Sequence, residues 1–148
     1  MTAKEYLQQA FTIRRLIKAK ESRIQELRDM TERVGQSLSG DGVRVQTSPR
    51  RDPMGDLIAT LVDLERECLD DYARLLALQS EIENAINSVE RHEYRLVLYE
   101  RYINLKRWDD IAEDNNYGYR HVYRLHDEAL AVIENGNALT TVNTPKGA

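Results

Sequence analysis

Arg120 and Arg124 stand four residues apart in the stretch YRHVYRLH at 119–126, so a helix there carries both on one face, one turn apart. A guanidinium is a planar fork of N–H donors that matches guanine O6 and N7, or a phosphate, with two parallel hydrogen bonds. His121 and Tyr123 flank the pair and are candidates for base edges, as Tyr119 is for phosphate. Projected at 100° per residue, Val122, Leu125, Ala129 and Ile133 fall on the opposite stripe, with His126 at its edge. A helix over about 119–133 would thus bury one side and offer the other to a duplex groove. The competing use of the two arginines is a solvated face paired with Asp127 or Glu128.

Covalent and metal chemistry find less to work with. Cys68 is the only cysteine, so no internal disulfide can form, and its place in an apolar seam suits a small buried hydrophobe. His92, His121 and His126 lack ligand spacing, and there is no Gly-rich phosphate loop or HExxH motif. Carboxylates abound, but on long helices they read as solvated faces. An enzyme, a cofactor and a metal are not expected.

Two short helices must position the arginine face. One covers about 108–115, with Trp108, Ile111 and Ala112 turned inward; the small Ala112 lets its neighbour approach closely. Before it, a helix over about 92–104 carries Tyr94, Val97, Leu98 and Tyr102. The turn Asn116-Tyr117-Gly118 joins the last two helices, and Asn tolerates the left-handed backbone of such a tight turn. A short helix, a three- to four-residue turn and a longer helix make a helix-turn-helix, with Trp108, Ile111, Ala112, Val122, Leu125 and Ala129 as its core. Lys106 and Arg107, just before the second helix, and Arg101 are candidates for phosphate, with Arg95 a weaker one. Asp109, Asp110, Glu113 and Asp114 argue against that surface lying flat on DNA, and the first two suit a helix N-terminus.

Upstream, the pattern changes to long seams. Thr2 and Glu5 form a capping box. Tyr6, Ala10, Ile13, Ile17, Ile24, Leu27 and Val34 then recur at spacings that average 3.5 residues, broken by Lys20 and Thr31 and widened by Leu7, Phe11 and Leu16. A second series runs through Ile58, Leu61, Cys68, Tyr72, Leu75, Ile82, Ile86 and Val89, broken by Glu65 and Gln79. Between them, residues 35–55 hold six of the ten Gly and Pro, which predicts a loop; its Arg44, Arg50 and Arg51 are minor candidates for nucleic acid. Two helices of about 50 Å joined this way predict an antiparallel coiled-coil hairpin.

The expected fold is all-α: a hairpin over 1–90, a helix-turn-helix domain over 91–134 and a disordered tail over 135–148. The formal charge is −4, but unevenly spread. Residues 1–34 carry eight Lys/Arg against five Asp/Glu, net +3; residues 56–90 carry two against nine, net −7; residues 91–126 carry seven against six, net +1. The opposite signs suit the hairpin, and the last segment is less repelled from DNA than the total suggests. With no apolar run near the roughly 20 residues of a membrane span, no signal-peptide core and one cysteine, a cytoplasmic location is expected.

Residues 94–133 resemble the DNA-binding fourth region of bacterial sigma factors, through the pattern Trp108-x-x-Ile111-Ala112, a turn, and a helix anchored by Val122 and Ala129. Over residues 1–133, and most specifically in WDDIA and YRHVYRLH, the chain resembles the sigma-like, RinA-type transcriptional regulators of phages and prophages of Gram-positive bacteria. That family usually has Gly where Asn116 stands and Ser or Thr where Gly118 stands, so this chain departs at the turn. The resemblance implies that residues 119–124 read promoter DNA in a bacterial host cell. Double-stranded DNA is the expected partner, with RNA polymerase and a second copy joined through the coiled coil as further candidates. Two other readings compete: a DNA-packaging adaptor of the small-terminase kind, although its DNA-binding part usually comes first, and a DNA-independent protein that occupies the host transcription machinery.

Overall fold

The computed structural model describes residues 1–39 and 52–136, and among these the fold is all-α, with five helices and no strand. They are α1 (Ala3–Ser39), α2 (Pro53–Asn87), α3 (His92–Tyr102), α4 (Trp108–Asp114) and α5 (Tyr119–Asn135). Among the described residues no helix is long and apolar enough to cross a membrane.

The ends of the long helices follow from local chemistry. At the start of α1 the Thr2 N–H donates to Glu5 Oε2 at 3.0 Å and the Glu5 N–H to Thr2 Oγ1 at 3.2 Å, a reciprocal capping box. At the start of α2 Asp52 accepts from the Gly55 N–H through Oδ1 at 2.9 Å, and Pro53 takes the first helical position, where its missing N–H costs nothing. The helices therefore intrude on both sides of the loop expected over 35–55: Gly35 lies inside α1, and Pro53 and Gly55 open α2. Residues 40–51, with Arg44, Arg50 and Arg51, lie outside the described residues, as do residues 137–148 of the expected tail.

Packing divides the chain into two compact units, Arg15–Ala73 and the remainder, Met1–Arg14 with Arg74–Ala148. The division differs from the boundary expected near residue 90: the outer ends of both long helices belong with α3–α5.

In the unit of residues 15–73, α1 and α2 run antiparallel. Arg28 pairs with Glu65 at 2.9 Å, Lys20 with Asp71 at 2.6 Å, and the Tyr72 hydroxyl bonds Glu21. On the α2 side of this unit the inward residues are Leu61, Leu64, Cys68 and Asp71, spaced 3, 4 and 3. This is one column away from part of the series read from the sequence. Ile58 is exposed and Tyr72 only half-buried, while Asp71 is buried. The rotation has a physical cause: the seam accepts a carboxylate at 71 because Lys20, the break in the α1 series, stands opposite to neutralise it. Thr31, the other break, returns its hydroxyl to the Leu27 carbonyl at 2.8 Å. Cys68 is buried, and burial pushes its thiol up, away from reactivity.

In the other unit, Leu7, Ala10, Ile82, Ile86, Leu98 and Tyr102 are buried. Gln79, a polar interruption of the α2 series, donates from Nε2 to the Ile103 carbonyl at 2.9 Å and the Tyr102 carbonyl at 3.4 Å. It satisfies carbonyls that the C-terminus of α3 leaves without helical partners. The Ala3 N–H donates to Glu134 Oε1 at 3.0 Å, tying the start of α1 to the end of α5.

Candidate nucleic-acid interface

α4, a turn and α5 form a helix-turn-helix whose core is Val97, Ile111, Ala112, Val122 and Leu125, with Tyr94, Trp108 and Tyr117 packed against it. Ala129, expected in this core, is fully buried farther along α5. The turn rests on two backbone features. Asn116 adopts φ 55°, the left-handed conformation its side chain tolerates. The Tyr117 N–H then donates to the Ala112 carbonyl at 2.8 Å, closing the end of α4. Gly118 precedes α5 in extended conformation, φ −71° and ψ 153°, and no side chain caps the helix there. A β-carbon at Gly118 would meet nothing within 4 Å, so this position does not require glycine.

α5 separates its faces as the projection predicts. Val122, Leu125, His126, Ala129, Leu130 and Ile133 are buried; Tyr119, Arg120, Tyr123 and Arg124 are exposed. Among the described residues no ion pair joins Arg120 or Arg124 to Asp127 or Glu128: Glu128 instead accepts from the Tyr94 hydroxyl at 2.7 Å. His121 is half-buried; its Nδ1 lies 2.7 Å from Arg124 Nη2, and its ring meets Tyr117 edge-on at 5.0 Å and 88°. Tyr123 leans on Trp108, with ring centroids 5.1 Å apart.

The cations expected at phosphate are differently placed. Arg101 is half-buried, with its guanidinium 4.2 Å from the Phe11 ring centroid and 4.4 Å from that of Trp108, and Nη1 donates to the Lys106 carbonyl at 2.7 Å. This geometry gives Arg101 a positioning role and leaves the expected phosphate role without support. Lys106 binds Asp114 at 3.0 Å and Glu100 at 3.4 Å; the hydrogen bond to Asp114 raises its pKa, so it is held as a cation within an acidic clasp. Leu105, the residue before Lys106, sits at φ 54°, a left-handed position that the sequence does not announce. The Arg107 side chain is 80% exposed, with Asp109 beside it at 3.5 Å. Arg95 is half-buried on α3, and its Nε is buried with no hydrogen-bond partner among the described residues.

Behind the arginine face lies a buried polar contact. His126, 3% exposed, shares a 2.7 Å hydrogen bond between its Nε2 and the Tyr102 hydroxyl, and Trp108 meets its ring edge-on at 4.6 Å. Burial holds the imidazole down at about 4 and pushes the Tyr102 phenol up to about 12, so both are neutral near pH 7. The aromatic packing places His126 among structural residues rather than groove-facing ones. No protein-family model matches the chain, and neither does any curated protein or solved structure.

Proposed function

We propose that this protein is a sequence-specific, double-stranded-DNA-binding transcriptional regulator of the phage and prophage type, reading the major groove with α5. The carrying observation is the segregation of α5: six buried residues fix one side, while Arg120 and Arg124 project from the other without an acidic partner among the described residues. Arg120, Arg124 and Tyr123 are the candidates for base edges, and Tyr119 and Arg107 for phosphate. RNA polymerase as a partner and self-association through the coiled coil belong to the same proposal, supported by the resemblance to sigma-like regulators and by the seam-bearing helices. The test is a titration of promoter-region duplex in rising salt. Affinity is expected to fall with a log–log slope of about −0.9 per phosphate contact. Identical binding by wild type and an Arg120→Ala/Arg124→Ala double variant would defeat the assignment.

A second reading, a protein that occupies the transcription machinery without touching DNA, is favoured by one observation: Asp109, Asp110, Glu113 and Asp114 are all exposed on α4, beside the arginine face. Capture of purified RNA polymerase in the absence of any duplex affinity would select it.

A further inference from the structure

We infer that His121 is a positioning residue, which aims the Arg124 guanidinium and couples its direction to the α4–α5 turn. This inference deepens the groove-reading proposal and rests on it. Sequence alone places His121 among the base-reading residues; the geometry gives it other work. A guanidinium has no hydrogen-bond acceptor, so in the 2.7 Å contact Arg124 Nη2 must donate and His121 Nδ1 must accept. The ring proton of the neutral imidazole is then confined to Nε2. The ring plane is held by the edge-on contact with Tyr117, which itself packs against the helix-turn-helix core and is anchored by its N–H bond to Ala112. A continuous line of contacts therefore runs from the left-handed Asn116 through Tyr117 and His121 to Arg124.

One N–H of Arg124 is used in this way, and four of the usual five remain, enough for the two-bond match to a guanine edge. A long side chain held in one direction before binding loses less rotamer freedom on binding, so aim contributes to affinity as well as to discrimination. His121 thereby determines which base pair Arg124 addresses without contributing a phosphate contact.

Two measurements on the full chain test the inference. The first needs no DNA: long-range nitrogen–proton correlation spectra should show His121 carrying its proton on Nε2 in the wild type, with a mixture of tautomers in Arg124→Ala. A proton found on Nδ1 in the wild type overturns the inference, because the contact with Arg124 could not then exist. The second is selection from a randomised duplex library followed by salt titration. His121→Ala should lose preference at the same base pair as Arg124→Ala and bind the selected site roughly 3- to 10-fold more weakly. Its salt slope should be unchanged. His121→Asn, which keeps an acceptor at the δ position, should restore most of the preference. Loss at a different base pair, or a slope reduced by one contact, would mean that His121 touches DNA itself, and would overturn positioning while leaving duplex reading intact. A wild type that binds no duplex at all would remove the parent proposal, and this one with it.

Discussion

Burial keeps the His126 imidazole uncharged, with its pKa lowered from 6.5 to about 4, and the nearby Lys4 and Arg101 reinforce what Asp127 only partly offsets. In the unfolded chain the same group titrates at its ordinary value. Between pH 6.5 and 4 the unfolded state therefore binds the additional proton, so stability falls as pH falls through that window and is independent of this group above it. The contribution lost by pH 4 is about 3 kcal/mol, from a shift of about 2.5 units at about 1.36 kcal/mol each. Urea denaturation at pH 7 and pH 4 should show that loss in the wild type and a visibly smaller one in His126→Gln. Equal losses in both would show that the histidine does not govern the acid limb. At this scale the sequence was a partial guide. The apolar stripe beside His126 marks it as a packing residue, but nothing in the spacing announces that Tyr102 would be its partner from 24 positions away. Arg101 is harder still: a cation near the end of α3 reads as a phosphate candidate, and nothing in the spacing announces that its guanidinium lies against Phe11 and Trp108.

The turn between α4 and α5 carries the clearest consequence at the level of elements. Asn116 sits at φ 55°, where a β-carbon is disfavoured and glycine is not. Asn116→Gly should be neutral or stabilising by up to about 0.5 kcal/mol, and Asn116→Ala destabilising by about 1 kcal/mol. Gly118→Ser should add a few tenths of a kcal/mol by supplying the missing N-cap oxygen of α5. Thermal melts of the three variants decide the matter, and a stabilised Asn116→Ala would contradict the assigned backbone. Both departures from the sigma-like pattern are thus soft. The elements themselves are readable: the capping box of Thr2 and Glu5 and the left-handed Asn116 follow from local chemistry, and the α4 and α5 starts from the apolar pattern. The α2 seam was only partly so, because periodicity gives no reason to place Asp71 inside until Lys20 is known to face it. Leu105 at φ 54° is likewise invisible to propensity.

For the whole chain, the lesson concerns where the arginine-bearing domain ends. The sequence changes period near residue 91, yet Phe11, Tyr6, Gln79 and Ile82 lie in the same compact unit as α3–α5. Phe11 packs edge-on against Tyr102 at 5.9 Å, and Tyr6 bonds Glu81. A change in periodicity marks a change in helix length and need not mark the limit of a core. A fragment of residues 91–136 alone should accordingly give weak helical circular dichroism and poorly dispersed amide spectra, while the full chain gives neither. A well-folded fragment would mean that the trihelical segment suffices by itself.

The pair that the half-buried Lys20 makes with the buried Asp71 works as a key in a slot. Slide the two helices past one another here by a single heptad and the lysine would stand against Leu64, taking from Asp71 the cation that offsets its burial. Side chains of the two helices themselves thus favour one alignment over its neighbours. The two keyed positions should accordingly tolerate change only together.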